Sequence, residues 1–101
     1  MVDWELLERF DWDEGNSRKS MSKHGVSQSE AEQVFFNEPL IVMDDTKHSG
    51  DERRWHALGK TNEDRTLHIT FTMRDKGKAL RVISARDMHR KEWTIYEQAL
   101  N

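Results

Sequence analysis

Residues 65–86, which read RTLHITFTMRDKGKALRVISAR, decide the fold of this chain. Apolar and polar residues alternate from Leu67 to Arg74. Successive side chains of a strand point to opposite faces, so the alternation predicts a strand with one apolar and one polar face. The segment Asp75-Lys76-Gly77 is typical of a turn, and the β-branched residues after it favour a second strand. We therefore predict a β-hairpin of residues 65–74 and 78–86, with Gly77 at positive φ.

Two segments before the hairpin extend the predicted sheet. Residues 40–43 are a short apolar run bounded by helix breakers, which favours a strand. Residues 53–60 form a further strand candidate, and a polar turn at residues 61–64 leads from it into the hairpin. Sequential strands with short connections predict a four-stranded antiparallel meander. Residues 10–12 are a possible edge strand.

Three helices are predicted from capping signals and helical periodicity. The order of elements is two helices, four strands and one helix, which predicts an α+β domain with the helices packed on one face of the sheet. The predicted caps are Asp13 for a helix over residues 14–23 that Gly25 follows, Ser27 with Glu30 for a helix that ends before Pro39, and Asp87 for a helix that ends near residue 98.

Length and composition bound the class of protein. At 101 residues we expect a single domain over residues 1–101. The absence of cysteine excludes disulfides and thiolate metal sites. No stretch approaches the roughly 20 apolar residues of a membrane span, and the N-terminus lacks the basic start and apolar run of a signal peptide. We expect a cytoplasmic protein that needs no cofactor and contacts no membrane.

Charge is unevenly distributed along the chain. The net charge of −3 argues against a dedicated nucleic-acid binder. However, residues 3–14 are mostly acidic, whereas residues 74–91 are mostly basic. The acidic segment either folds over the sheet and screens it or is simply solvated.

The arginines of the predicted sheet have two interpretations. Arginine carries a permanent charge and a planar fork of donors that matches phosphate. If Arg54, His56, His68, Arg74 and Arg81 share one sheet face, they form a cationic surface for a backbone phosphate. The alternative is a solvated face paired to the many carboxylates, and spacing alone favours this alternative.

Other site motifs are weak. The histidines are dispersed, and no pair has the helical i, i+4 spacing of metal ligands, so we predict no metal site. Residues 44–52 contain oxygen ligands without the spacing of a calcium loop, and we interpret them as a loop that hydrogen-bonds to itself. There is no phosphate-binding glycine loop and no nucleophile motif. From the residues alone we predict a small α+β domain with a cationic antiparallel sheet.

The ordered set of short motifs resembles the BrnT family of type II toxin–antitoxin toxins, from about residue 10 to residue 97. The combination of Lys-His-Gly-Val with a downstream Ile-Ser-Ala-Arg is specific. The matching residues are Trp12-Asp13, Lys23-His24-Gly25-Val26, Glu30-Ala31, Val34-Phe35, His48-Ser49, Glu52-Arg53, Leu58-Gly59, Arg65, Leu67, Thr72, Arg74, Arg81-Val82-Ile83-Ser84-Ala85-Arg86, Lys91-Glu92 and Tyr96-Glu97.

The resemblance implies a fold similar to the RelE ribonucleases and a metal-independent cleavage of RNA that inhibits translation. It also implies neutralisation by a BrnA-type antitoxin, in a heterotetramer that contacts operator DNA only through the antitoxin. The alternative is a toxin-fold binding module with weak or no catalytic activity that acts in an antitoxin complex and in operon autoregulation.

Candidate catalytic residues follow from the resemblance and from the chemistry of RNA cleavage. Without a metal, the 2′-OH must be deprotonated, the phosphorane charge stabilised and the leaving 5′-oxygen protonated. Arg65, Arg74 and Arg86 are candidates for charge stabilisation. The candidates for the proton transfers are Lys23 and His24, which are expected to meet these arginines, and Tyr96, while Arg54 and Arg81 are expected to bind RNA phosphate.

Overall fold

A five-stranded sheet and three helices make up the structure, a computed structural model that describes residues 2–101. Short 3₁₀ turns at Trp4–Leu6 and Asp75–Gly77 precede the first and last strands. The helices are α1 (Glu14–His24), α2 (Gln28–Val34) and α3 (Arg90–Ala99), and the strands are β1 (Arg9–Phe10), β2 (Ile41–Asp44), β3 (Arg54–Lys60), β4 (Thr66–Arg74) and β5 (Ala79–Asp87). Within the described chain, no helix has the length and hydrophobicity that crossing a membrane requires.

The predicted hairpin is confirmed as strands β4 and β5. The alternation works as expected, because Leu67, Ile69 and Phe71 are completely buried on one face of β4. Gly77 has a φ of 91°, as predicted for the turn, and Asp75 and Lys76 also have positive φ. The apolar face of β4 forms the centre of the core, and the polar face is left for a site.

The sheet contains one strand more than predicted. Strands β2 to β5 form the expected antiparallel meander, in the order β1-β5-β4-β3-β2. However, β1 pairs with β5 in parallel, since Arg9 N–H donates to Lys78 O and Asp11 N–H donates to Leu80 O. The prediction of a four-stranded, purely antiparallel sheet was therefore wrong, and the sheet is mixed.

Helix α2 packs on the apolar face of the sheet. Its capping box of Ser27 and Glu30 is confirmed, and its buried residues Ala31 and Val34 join the hydrophobic core. The helix approaches β3 so closely that a Cβ added to Gly59 would lie 2.6 Å from Val34 Cγ1. A glycine at position 59 therefore permits the contact between α2 and β3.

Helix α1 lies along the edge of β5 that the short strand β1 leaves uncovered. Asp13 caps it and Gly25 ends it at a φ of 64°, both as predicted. Its two buried side chains are polar: Asn16 Nδ2 donates to Val82 O at 2.9 Å, and Ser20 Oγ accepts from Ala85 N at 3.0 Å. Because these side chains satisfy strand backbone groups, a polar helix can pack against the sheet.

Helix α3 lies on the face opposite α2, so the prediction that all helices pack on one face was wrong. Glu92 of α3 binds Arg86 and lies 3.9 Å from His68, and the register places both residues on the face opposite Ile69. The cap of α3 also differs from the prediction, since Glu92 accepts from the backbone N–H of His89 at 2.8 Å. Asp87 instead binds an arginine.

Candidate active site

The polar face of the sheet holds a cleft of about 460 Å³. The strand register aligns His56 with Thr70 and Thr70 with Ser84, so these side chains lie side by side across three strands. Helices α1 and α3 and the loop after β2 contribute the remaining walls. This polar cleft is lined by Lys19, Asp45, His48, Arg54, His56, His68, Thr70, Ile83, Ser84, Arg86 and Glu92.

Arg54 lines the polar cleft without a carboxylate partner among residues 2–101. Its Nε is buried and has no hydrogen-bond acceptor within that range. The adjacent Arg53 differs, because it binds Asp44 at 2.8 Å and lies over the ring of Trp55 at 5.4 Å. A buried donor without an acceptor carries a desolvation penalty, so Arg54 is suited to bind an anion that enters the cleft.

Arg86 also lines the cleft, but Glu92 compensates its charge. Arg86 Nη1 and Nη2 each donate to the Glu92 carboxylate at 2.8 Å, in a bidentate pair. The hydrogen bonds from Arg86 lower the pKa of Glu92 to about 2, although burial opposes the shift. Glu92 is therefore ionised at neutral pH, and Arg86 is held rigidly at the wall of the cleft.

Two histidine rings lie next to each other at the floor of the cleft, with their planes tilted by 41°. The ring centroids of His56 and His68 lie 4.7 Å apart. Burial lowers the pKa of His68 to about 4, with a further contribution from the nearby cation of Arg86. His68 Nδ1 is buried with no hydrogen-bond partner among residues 2–101. His68 is therefore neutral at physiological pH.

Asp45 joins the loop after β2 to the floor of the cleft. Its side chain is 5% exposed; Oδ1 lies 3.1 Å from His48 Nδ1, and Oδ2 lies 3.2 Å from His56 Nε2. Burial by itself raises the pKa of Asp45, but hydrogen bonding from His48 and the charge of His56 outweigh it, and the net pKa is lowered. Asp45 is therefore a buried carboxylate that is ionised and shared by two imidazoles. The other nitrogen of His56, Nδ1, lies 3.1 Å from Thr70 Oγ1.

Arg65 lies outside the polar cleft and uses all of its donors within the protein. Its Nε and Nη2 bind the Asp87 carboxylate at 2.8 and 3.1 Å, and Nη1 binds Glu30 at 3.0 Å. The remaining N–H groups donate to Gly25 O at 3.0 Å and to His24 O at 3.2 Å. These carboxylates raise the pKa of Arg65. Arg65 therefore ties the end of β5 to the junction of α1 and α2.

Arg74 and Arg81 lie on the polar face but are paired with carboxylates. Arg74 binds Glu52 at 3.1 Å and lies 3.8 Å from Asp11. Arg81 binds Asp13 at 3.0 Å and lies 3.6 Å from Asp11. Part of the acidic N-terminal segment therefore screens these arginines, from its position beside β1 at the edge of the sheet.

The predicted proton-transfer residues also lie outside the polar cleft. Lys23 and His24 are exposed at the end of α1, and His24 meets Arg65 through its backbone carbonyl. Tyr96 is completely buried, and its hydroxyl donates to Pro39 O at 2.8 Å. Burial raises the pKa of Tyr96. Of the candidate catalytic and RNA-binding arginines, the structure therefore brings Arg54 and Arg86 into the cleft, together with His56 and His68 of the predicted cationic face.

Several cleft residues were not assigned to the site from the sequence. The alternation of β3 and β4 placed His56 and His68 on the predicted cationic face, but neither received a catalytic role. Lys19, Asp45, His48 and Glu92 come from a helix, a loop and the last helix, so only tertiary packing brings them together. Among residues 2–101, no three histidine, aspartate or glutamate side chains are placed to hold a metal ion.

Comparison with known proteins agrees with the resemblance inferred from the motifs. The family described as ribonuclease toxin, BrnT, of type II toxin-antitoxin system matches residues 12–92. The crystal structure of the Brucella abortus ribonuclease toxin BrnT superposes with a TM-score of 0.61 at 25% sequence identity, covering 82% of this chain and 99% of that chain. Among curated proteins, none matches the chain. The match over residues 12–92 shows that this chain belongs to the BrnT family of ribonuclease toxins of type II toxin–antitoxin systems.

Proposed function

We propose that this chain is an endoribonuclease that cleaves RNA without a metal, inhibits translation in the cytoplasm and binds RNA in the polar cleft. Membership of a ribonuclease toxin family supports the class of reaction. The observation that carries the assignment to the cleft is Arg54, which lines it without a carboxylate partner among residues 2–101 and whose Nε has no acceptor there. A phosphodiester supplies acceptor oxygens for such a guanidinium.

The charge of the cleft also suits a phosphodiester. Lys19, Arg54 and Arg86 contribute three cations, against the two carboxylates of Asp45 and Glu92. A single phosphodiester carries one negative charge, so it restores the balance. Guanidinium groups held by the fold stabilise the additional charge of a phosphorane without reorganising.

The proposed reaction is transfer of the phosphoryl group to the neighbouring 2′-oxygen. The 2′-oxygen loses its proton to a base and forms a bond to phosphorus while the bond from phosphorus to the 5′-oxygen breaks. The 5′-oxygen takes up a proton, which leaves a 2′,3′-cyclic phosphate and a 5′-hydroxyl end. Arg54 and Arg86 stabilise the phosphorane, and an imidazole of the cleft is suited to accept the proton of the 2′-OH.

The remaining residues predicted from the sequence have different places in this proposal. Arg74 and Arg81 lie on the polar face, and RNA that extends beyond the cleft displaces the carboxylates that pair with them. The catalytic roles predicted for Lys23, His24, Arg65 and Tyr96 stay predictions, because these residues lie outside the cleft.

The proposed partner is a BrnA-type antitoxin. The toxin–antitoxin family supports an antitoxin partner. We expect a heterotetramer of toxin and antitoxin that contacts operator DNA only through the antitoxin.

A second candidate function is a binding module with weak or no catalytic activity. The observation that favours it is charge compensation on the polar face, where Glu92 holds Arg86 and the acidic segment holds Arg74 and Arg81. Such a protein binds its antitoxin and takes part in operon regulation without cleaving RNA.

Induction of the chain alone in bacteria tests the proposal. We expect growth to stop and to resume when the neighbouring small gene is co-expressed. Purified protein should cleave RNA in the presence of a metal chelator and leave cyclic phosphate ends. Normal growth together with no cleavage in vitro refutes the ribonuclease proposal and supports the binding module.

Adjacent arginines provide a matched pair of variants for locating the site. Arg54→Ala removes the unpartnered guanidinium and should lower the cleavage rate by about 10²–10³, the usual effect of losing one group that stabilises transition-state charge. Arg53→Ala changes the net charge equally but removes a cation directed at Asp44 and Trp55. Equal activity of the two variants contradicts the assignment of the cleft.

A further inference from the structure

We propose that His48 is the general base of the polar cleft and that Asp45 is its positioning residue. This inference rests on the proposed ribonuclease function. Three histidines line the cleft, and they differ in how many ring nitrogens remain available for proton transfer. The geometry around Asp45 separates them.

His56 and His68 are poorly placed to take a proton from RNA. Both ring nitrogens of His56 already have partners, Asp45 at Nε2 and Thr70 at Nδ1. His68 is only 10% exposed, and burial keeps its pKa near 4. An imidazole with both nitrogens occupied, or one that resists protonation, is a weak general base at neutral pH.

His48 has the opposite properties. Its side chain is 63% exposed at the cleft. Among residues 2–101 only Nδ1 has partners, the Asp45 oxygens Oδ1 at 3.1 Å and Oδ2 at 3.2 Å. An ionised carboxylate at Nδ1 holds the proton on that nitrogen and leaves the lone pair of Nε2 free. Nε2 of His48 is therefore available as a proton acceptor, and Asp45 stabilises the imidazolium that forms.

The loop that carries His48 is fixed to the sheet. The backbone N–H of His48 donates to Asp45 Oδ1 at 3.2 Å, and the hydroxyl of Ser49 donates to Asp45 O. The same hydroxyl accepts from the backbone N–H of Arg54 at 3.0 Å. These bonds hold His48 next to the strand that presents Arg54, the proposed phosphate-binding residue.

The proton balance of the step is complete. His48 Nε2 takes the proton of the 2′-OH as the 2′-oxygen attacks phosphorus, and the 5′-oxygen takes a proton from water in the open cleft as its bond to phosphorus breaks. His48 then releases its proton to solvent. One proton has moved from the 2′-oxygen to the 5′-oxygen, and no oxidant or metal is consumed.

Several charged groups surround His48. Asp45 is the nearest of them, with Oδ1 at 3.1 Å from His48 Nδ1. The other charged and titratable groups that face the cleft are Lys19 from α1, Arg54 and His56 from β3, His68 from β4, Arg86 from β5 and Glu92 from α3.

The decisive variant is His48→Ala. Its rate of RNA cleavage is measured, and its affinity is measured separately with RNA that carries a 2′-deoxy sugar at the scissile position and is therefore not cleaved. We expect cleavage to fall by about 10²–10⁴, the usual contribution of a general base, with unchanged binding. Added imidazole should restore part of the rate. Thr46→Ala, an exposed neutral change in the same loop, should cleave like the wild type. Wild-type cleavage by His48→Ala overturns the inference but leaves the ribonuclease proposal intact.

Asp45→Asn tests whether Asp45 positions His48 for catalysis or only stabilises the loop. The variant should lower kcat/KM by at least about tenfold and leave unchanged the binding of RNA that carries a 2′-deoxy sugar at the scissile position. Nitrogen NMR of the wild type, without RNA, should find the neutral His48 ring protonated on Nδ1. A ring protonated on Nε2 overturns the inference, whether or not the protein cleaves RNA. Absence of cleavage in the wild type refutes the ribonuclease proposal instead.

Discussion

Arg65→Ala should destabilise the fold rather than remove a group that acts on RNA. Arg65 donates five hydrogen bonds within the protein, to the carboxylates of Asp87 and Glu30 and to the backbone carbonyls of His24 and Gly25. These bonds join the end of β5, the start of α2 and the end of α1. The variant removes the only side chain among residues 2–101 that bonds all three segments at once.

The expected loss of stability in Arg65→Ala follows from how exposed Arg65 and its hydrogen-bond partners are. Arg65 is 28% exposed, Glu30 is 32% exposed and Asp87 is 64% exposed. The exposed pair with Asp87 contributes about 0–1 kcal/mol. The better shielded bond to Glu30 contributes about 1 kcal/mol, and the two bonds to exposed carbonyls contribute about 0.5 kcal/mol each. The free energy of unfolding should therefore fall by about 2–3 kcal/mol, and the melting temperature by roughly 10–20 °C.

The assay is denaturant and thermal unfolding of purified protein, followed by circular dichroism. Arg74→Ala is the matched control, because Arg74 is 45% exposed and its partner Glu52 is 42% exposed. Its loss should lower the free energy of unfolding by less than about 1 kcal/mol. If Arg65→Ala unfolds like Arg74→Ala and yet loses RNA cleavage, the structural role is refuted and the catalytic role predicted from the sequence is supported.

Two further predictions concern packing and pH. Gly59→Ala should lower the free energy of unfolding by about 1–3 kcal/mol, because the new methyl group overlaps Val34. The matched control is Gly50→Ala, whose added Cβ has no atom within 4 Å and which should change the free energy by less than about 0.5 kcal/mol. Equal urea midpoints for the two variants contradict the close contact. The pKa of His68 is about 4 in the folded protein, whereas an unfolded histidine protonates near pH 6.5. Below pH 6.5 the unfolded state therefore binds more protons, and the free energy of unfolding should fall by on the order of 2–3 kcal/mol between pH 6.5 and pH 4. In urea unfolding at several pH values, His68→Gln should lose this decrease in the free energy of unfolding. A pH dependence equal to that of the wild type contradicts the buried neutral histidine.

The cleft is largely a product of long-range contacts. Strand alternation predicted that His56 and His68 share a face, because side-chain direction in a strand is a local property. Alternation carries no information about which carboxylate meets which arginine, and Arg86 and Glu92 are brought together by the way α3 folds back over the sheet. The prediction therefore placed the right arginines on the face without identifying the ones that remain available to a ligand.

The sequence by itself determined the elements and the family. Local periodicity, turn residues and caps specify the hairpin of β4 and β5, the caps of α1 and α2 and the apolar face of the core, since each depends on residues close in the chain. Only the tertiary structure decided that β1 pairs in parallel with β5, that α3 lies opposite α2 and that Arg65 is fully engaged within the protein. These features depend on which distant backbone and side-chain groups satisfy one another's hydrogen bonds, and residue spacing along the chain does not encode that choice.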